Sequence, residues 1–117
     1  VIAAALVIPA VAAARQLATS HQRDAITQAT KTSYPARCAR VWISTADRRW
    51  ALWYVPIPLA AGCPTPPGDG YILLHRNEAG RWQIDTEGDI GSCQLGRPLP
   101  WAHQPRIPAR VAQDLRC

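Results

Sequence analysis

Gly70-Tyr71-Ile72-Leu73-Leu74-His75-Arg76, then Asn77-Glu78-Ala79-Gly80, then Arg81-Trp82-Gln83-Ile84-Asp85-Thr86 reads as a β-hairpin, and it decides the fold. Its second arm alternates. Trp82, Ile84 and Thr86 point one way and Arg81, Gln83 and Asp85 the other, the period of two of a strand with one buried and one wet face. The first arm is apolar on both sides from Tyr71 to Leu74, which places it inside a sheet rather than at its edge. Asn77 to Gly80 supplies the turn, with Gly80 free to take positive φ.

A second hairpin lies upstream. Cys38 to Ala46, centred on Val41, Trp42 and Ile43, is one strand; Asp47-Arg48-Arg49 is a polar turn; Trp50 to Pro56 returns, rich in aromatic and β-branched residues. Folding about Arg48 brings Cys38 to the end where Cys63 follows, which predicts a Cys38–Cys63 disulfide. Five prolines between Pro56 and Asp69 exclude a central strand or a regular helix, leaving a rigid surface loop pinned by Cys63. Downstream, Glu87 to Cys93 is a Gly-rich turn region, and prolines punctuate a loop around Trp101 and His103. Pro108 suits the first position of a short helix whose apolar stripe is Ile107, Val111 and Leu115, with Ala112 beside it. So short a helix needs docking on the sheet and a staple from Cys117 to Cys93.

On the N-terminal side, Thr19 with Gln22 three residues on forms a capping box. The stripe behind it, Ala25, Ile26 and Ala29, has one large side chain, so residues 15–37 read as a weak helix or as a polar linker. Ser33-Tyr34-Pro35 ends the segment, because the residue before proline is pushed out of helical geometry. Residues 1–14 carry no charge and end in Ala12-Ala13-Ala14 before Arg15. They fit the apolar region of a secretory signal; a membrane anchor and a buried core helix are the alternatives. As a helix they would span about 21 Å, short of a hydrocarbon core of roughly 30 Å. Four cysteines behind such a segment read as two disulfides and an exported, secreted or envelope protein. The expected fold is therefore α+β: residues 38–117 form a four-stranded antiparallel meander, with a weak N-terminal helix and a short C-terminal helix packed on one face. Two disulfides, Cys38–Cys63 and Cys93–Cys117, staple it.

The chain carries 13 basic and 8 acidic residues, a balance of +5, and Lys31 is its one lysine. That charge permits anionic partners without demanding them, and no run of five like charges makes a basic tail. There is no nucleophile elbow, phosphate-binding glycine loop, HExxH or CxxC, so no cofactor or metal is expected. Four weaker constellations remain. Asp85, Glu87 and Asp89 alternate after the last strand, but their spacing is not that of a calcium loop. His21, His75 and His103 are scattered, and nothing places them together around zinc. A hairpin registered about Asn77 to Gly80 would bring His75 near Asp85, a His–carboxylate pair for a small hydrolase-like enzyme using Asp85 or Glu87; cross-strand pairing explains it as well. Finally Arg40, Arg48 and Arg49, with Arg37, bracket Trp42 and Trp50, while Trp101 stands in a Pro-rich loop; basic residues among aromatics are a candidate ligand-binding face. Export makes nucleic acid an unexpected partner. The leading expectation is a non-enzymatic domain that binds an extracellular or envelope partner, touching membrane only through residues 1–14 if these are retained. The alternatives are the enzyme above and a membrane-tethered accessory subunit.

Trp50-Ala51, Gly70 with Leu73-Leu74 and Arg76, Gly80-Arg81-Trp82, Gly91 with Cys93, and Pro108-Ala109-Arg110-Val111 with Leu115 and Cys117 together resemble a loose set of small exported actinobacterial proteins. The resemblance covers roughly Cys38 to Cys117. It implies a signal sequence, a Trp-rich antiparallel sheet and a Pro-x-x-Val-x-x-x-Leu-x-Cys ending, and it implies no activity. The Gly80-Arg81-Trp82 entry to a strand also resembles cone-shaped domains of the nuclear transport factor 2 type, without their long early helices.

If both disulfides form, thiol titration of the denatured native protein finds no free thiol; four free thiols would overturn the export reading.

Overall fold

Strands form where residues alternate between two apolar layers. The computed structural model describes residues 15–66, 70–89 and 106–116. Strands β1 (Gln16–Leu17), β2 (Arg40–Ile43), β3 (Trp50–Tyr54), β4 (Gly70–Arg76) and β5 (Trp82–Asp89) make one antiparallel sheet in chain order. Helices α1 (Ser20–Ala29) and α2 (Ala109–Asp114) and a 3-10 turn at Ala36–Cys38 complete it. The antiparallel α+β architecture is the expected one, but the sheet has five strands, not four. The added strand is β1, whose Gln16 and Leu17 pair with Ile43 and Trp42; two residues are too few to show a period.

The helices take opposite faces. Val41, Ile43, Ala51, Trp53, Ile72 and Leu74 pack toward Ile26 of α1. Trp50, Leu52, Tyr71 and Leu73 pack toward Ile107, Val111, Ala112 and Leu115 around α2. Cross-strand partners share a face, and the register agrees: Trp53 stands opposite Val41 and Ile72, Leu52 opposite Trp42 and Leu73.

Residues 20–29 are helix, not linker. Thr19 Oγ1 accepts from the Gln22 N–H at 3.2 Å and Gln22 Oε1 from the Thr19 N–H at 2.9 Å, the expected capping box. The buried face differs from the expected stripe. Ala25 is exposed, while Thr27 and Thr30 are buried beside Ile26. Thr27 Oγ1 accepts the Trp53 indole N–H at 3.1 Å, and Thr30 Oγ1 donates to the Thr27 carbonyl at 2.6 Å. Both buried threonines thus have a partner, and the helix docks through a hydrogen bond that apolar periodicity does not reveal.

The clean alternation expected along Arg81 to Thr86 is broken. Leu74 pairs with Ile84 but Leu73 with Thr86, so Asp85 is an extra residue, a β-bulge. One inserted residue exchanges the faces of everything beyond it. Trp82 and Ile84 pack on the α1-side core, whereas Thr86 stands opposite Leu73 on the α2 side. The turn before β5 is as expected: Gly80 takes φ 79°, its N–H donates to the Asn77 carbonyl at 2.9 Å, and Asn77 Oδ1 accepts the Arg81 N–H at 2.9 Å.

Cys38 and Cys63 form the expected disulfide, with Cα atoms 5.7 Å apart. The two cysteines are 25 residues apart in sequence, and closing a loop of that many residues is worth about 3–4 kcal/mol in the loop-entropy model. Cys93, Cys117, Trp101 and residues 1–14 lie outside the described residues, and with them the second disulfide and the signal or anchor.

Pro108 caps α2 rather than opening it, and Ile107, Val111 and Leu115 are buried as the stripe predicts. The helix is fastened by a carboxylate. Asp114 Oδ2 accepts from Ser44 Oγ at 2.8 Å and from the backbone N–H groups of Thr45 and Ala46 at 2.6 and 3.3 Å, in the turn between β2 and β3. Asp114→Ala would strand those donors. A charged hydrogen-bond set of this kind is worth about 3 kcal/mol, so urea unfolding of the variant should show a loss of that order, with Asp114→Asn losing less because an amide oxygen still accepts.

Candidate functional site

Of the expected ligand face, Trp101 lies outside the described residues, and Arg40 does not converge with Arg48 and Arg49. Arg40 opens β2, opposite Tyr54, and is exposed. Arg48 and Arg49 sit four rungs away in the turn. Arg48 Nη1 donates to Gln16 Oε1 at 3.3 Å, and Arg49 clasps Asp47 through Nη2 at 2.9 Å and Nε at 3.0 Å. The tryptophans between them are core elements: Trp42 is half-buried and donates from its indole to Tyr54 Oη at 3.1 Å, and Trp50 is buried. Arg15 lies 4.2 Å over the Trp42 ring and donates to the Arg116 carbonyl.

His75 and the carboxylates also part. His75 pairs across strands with Gln83 and stacks on Trp50, ring centroids 4.4 Å apart. Asp85, displaced by the bulge, takes Arg106 Nε at 2.9 Å and the Thr86 hydroxyl at 2.7 Å. Glu87 stands opposite Ile72, a residue of the α1-side core, and is exposed. Among the described residues no group of three or more His, Cys, Asp or Glu could hold a metal ion.

What the fold assembles instead is a groove between the end of α1 and the start of β5, about 560 Å³ in volume. Ala29, Trp82 and Ile84 are half-buried in it and pack on the α1-side core. Gln28, Lys31, Arg81 and Gln83 line it as exposed residues, so it holds two cations and no carboxylate. Lys31 is held there at a cost. It has φ 57°, the left-handed region in which a glycine ordinarily ends a helix, and its N–H bonds to the Gln28 carbonyl at 3.1 Å.

The groove runs beside β5, which among the described residues has a strand on one side only. In an antiparallel strand the N–H and C=O of one residue point the same way, and successive residues alternate. The Arg81 carbonyl accepts from Asn77 at 2.8 Å, so Arg81 faces β4. By alternation Gln83 faces β4 as well, in agreement with its partner His75. Trp82 and Ile84 therefore turn their backbone groups away from the sheet. β5 is the last strand in the order, and among the described residues no strand lies beyond it.

These residues escaped the sequence reading for a local reason. Trp82 and Ile84 read as core, which they are only on one side, and nothing in Ala29-Thr30-Lys31-Thr32 signals a left-handed helix end. Comparison with protein-family models, with curated proteins and with solved structures finds no match to this chain.

The hydrogen bond from Arg49 to Asp47 holds the Asp47 carboxyl below its ordinary value of 3.8, partly offset by desolvation. A lowered carboxyl pKa stabilises the fold above the ordinary pKa and loses that contribution as pH falls through the lowered one. Because Arg49 is exposed, the effect is small. Asp47→Asn should therefore unfold slightly more easily than the parent in urea at pH 7, with the difference vanishing under strong acid.

Proposed function

We propose that this chain is a non-enzymatic binding domain of the cell exterior or envelope, and that it takes an acidic, extended peptide segment as an added strand along β5. The observation that carries this reading is the outward-turned backbone of Trp82 and Ile84 beside a groove holding Lys31 and Arg81. An extended segment supplies the missing rungs through its main chain and sets alternate side chains against Ala29, Trp82 and Ile84. Acidic side chains answer the two cations, which gives selectivity and faster encounter more than raw affinity. A second copy of this chain fits less well, since pairing two β5 edges brings Arg81 and Lys31 toward like charges. The bulge at Asp85 confines the regular edge to a few residues, a device that limits unspecific edge pairing.

Export is part of the same proposal. The Cys38–Cys63 disulfide is consistent with an oxidising compartment, and the resemblance to small exported actinobacterial proteins points the same way.

The test uses a synthetic peptide of alternating Glu and Val, titrated into labelled protein and followed by NMR. Shifts should concentrate on Lys31 and on Arg81 to Ile84, and should weaken with salt. The same peptide N-methylated at every residue should bind at least about tenfold more weakly, because strand addition needs N–H groups on the edge that meets β5 and alternate methylation would leave one edge intact. Lys31→Gly should raise thermal stability, by about 1 kcal/mol from relief of the left-handed backbone, while lowering affinity. Equal binding of the N-methylated peptide, or shifts elsewhere, would overturn the reading.

A further inference from the structure

The loop after β3 exposes what the rest of the fold hides. Of the three large apolar side chains exposed among the described residues, two are here: Ile57 at 68 % and Leu59 at 37 %. Residues 57 to 62, Ile-Pro-Leu-Ala-Ala-Gly, are all exposed, and no charged residue occurs from Val55 to Gly68. The loop is fixed at its base. Cys63 is bonded to Cys38, Tyr34 Oη donates to the Pro64 carbonyl at 2.7 Å, and Arg37 Nη2 donates to the Gly62 carbonyl at 3.4 Å. Arg37 and Arg40, both exposed, bracket Cys38 and so stand at that base.

We infer that residues 57–61 are a membrane-contact tip that inserts into the interface of an anionic lipid surface, with Arg37 and Arg40 meeting the headgroups. The sequence leads one to expect membrane contact through residues 1–14 alone, if these are retained; the contact proposed here is a different one, built by the folded domain and independent of the β5 groove. Exposed apolar side chains on a loop whose base carries basic residues suit an interface, where acyl chains lie beneath anionic headgroups. A protein partner fits the tip less well, because a stable interface needs about 800 Å² from each side, and six exposed loop residues with two large apolar side chains do not offer it. Cross-linking at the base means that the tip is ordered before it inserts, so insertion costs little conformational entropy.

The experiment is co-sedimentation of the full chain with phosphatidylglycerol–phosphatidylcholine vesicles. Because residues 1–14 are themselves apolar, the readout is the difference between variants of one chain. Ile57→Ser with Leu59→Ser should lower partitioning roughly tenfold or more, and Arg37→Gln or Arg40→Gln about fivefold each. Circular dichroism and an intact Cys38–Cys63 bond confirm that the variants fold. In parallel, nitroxide-labelled lipid should broaden the amide signals of Ile57, Leu59 and Ala60 but not those of Glu78 or Gly80. Unchanged partitioning of the Ser variants, or unbroadened loop amides, overturns the inference. Either result leaves the peptide titration at β5 unaffected, so the two readings fail separately.

Discussion

Over their central residues strands β3 and β4 have no wet face, and the rest of the molecule follows from that constraint. From Trp50 to Trp53 and from Tyr71 to Leu74 every residue is buried. A sheet whose central strands are apolar on both sides must be covered on both sides. A chain of this size supplies the two covers from short helices that could not stand alone, so each is fastened by a polar bond as well as by packing. On one side Thr27 receives the Trp53 indole; on the other Asp114 receives the donors of the β2–β3 turn. Both bonds join residues far apart in sequence, and both sit where a helix meets the middle of the sheet or its turn.

Much of this was legible beforehand. The two hairpins, the capping box at Thr19, the stripe of Ile107, Val111 and Leu115, and the Cys38–Cys63 pairing all rest on short-range chemistry or on one simple folding step. Three features were not legible, each for a physical reason. β1 is two residues long and exists because β2 offers it an edge. The bulge at Asp85 carries no glycine to announce it, and its effect is to break a pattern that looks perfect in one dimension. Thr27 and Thr30 look like surface residues on a helix and become core residues once a tryptophan needs an acceptor. The site was less legible than the fold. The basic residues near Trp42 and Trp50 drew notice as a cluster in sequence, yet the hairpin separates them by its own length, while Lys31 and Arg81, fifty residues apart, meet at one groove.

The meander also separates two ends of the molecule. Arg40, Tyr54 and the base of the 57–62 loop lie at one end of the central strands, and Trp50, His75 and the start of β5 at the other. A domain attached to a surface by the first end leaves the second turned away from it. The sheet then acts as a spacer, and its length is set by the five paired rungs between β3 and β4.

The left-handed residue at the end of α1 has a chemical corollary. Arginine supplies every other side-chain cation of this chain apart from histidine, so Lys31 carries its single ε-amine. Acylating or carbonyl reagents that leave guanidinium groups alone have one side-chain target, and it stands beside Trp82 at the rim of the groove. Acetylation there would erase one of the groove's two positive charges and leave the arginine-rich remainder of the surface as it was.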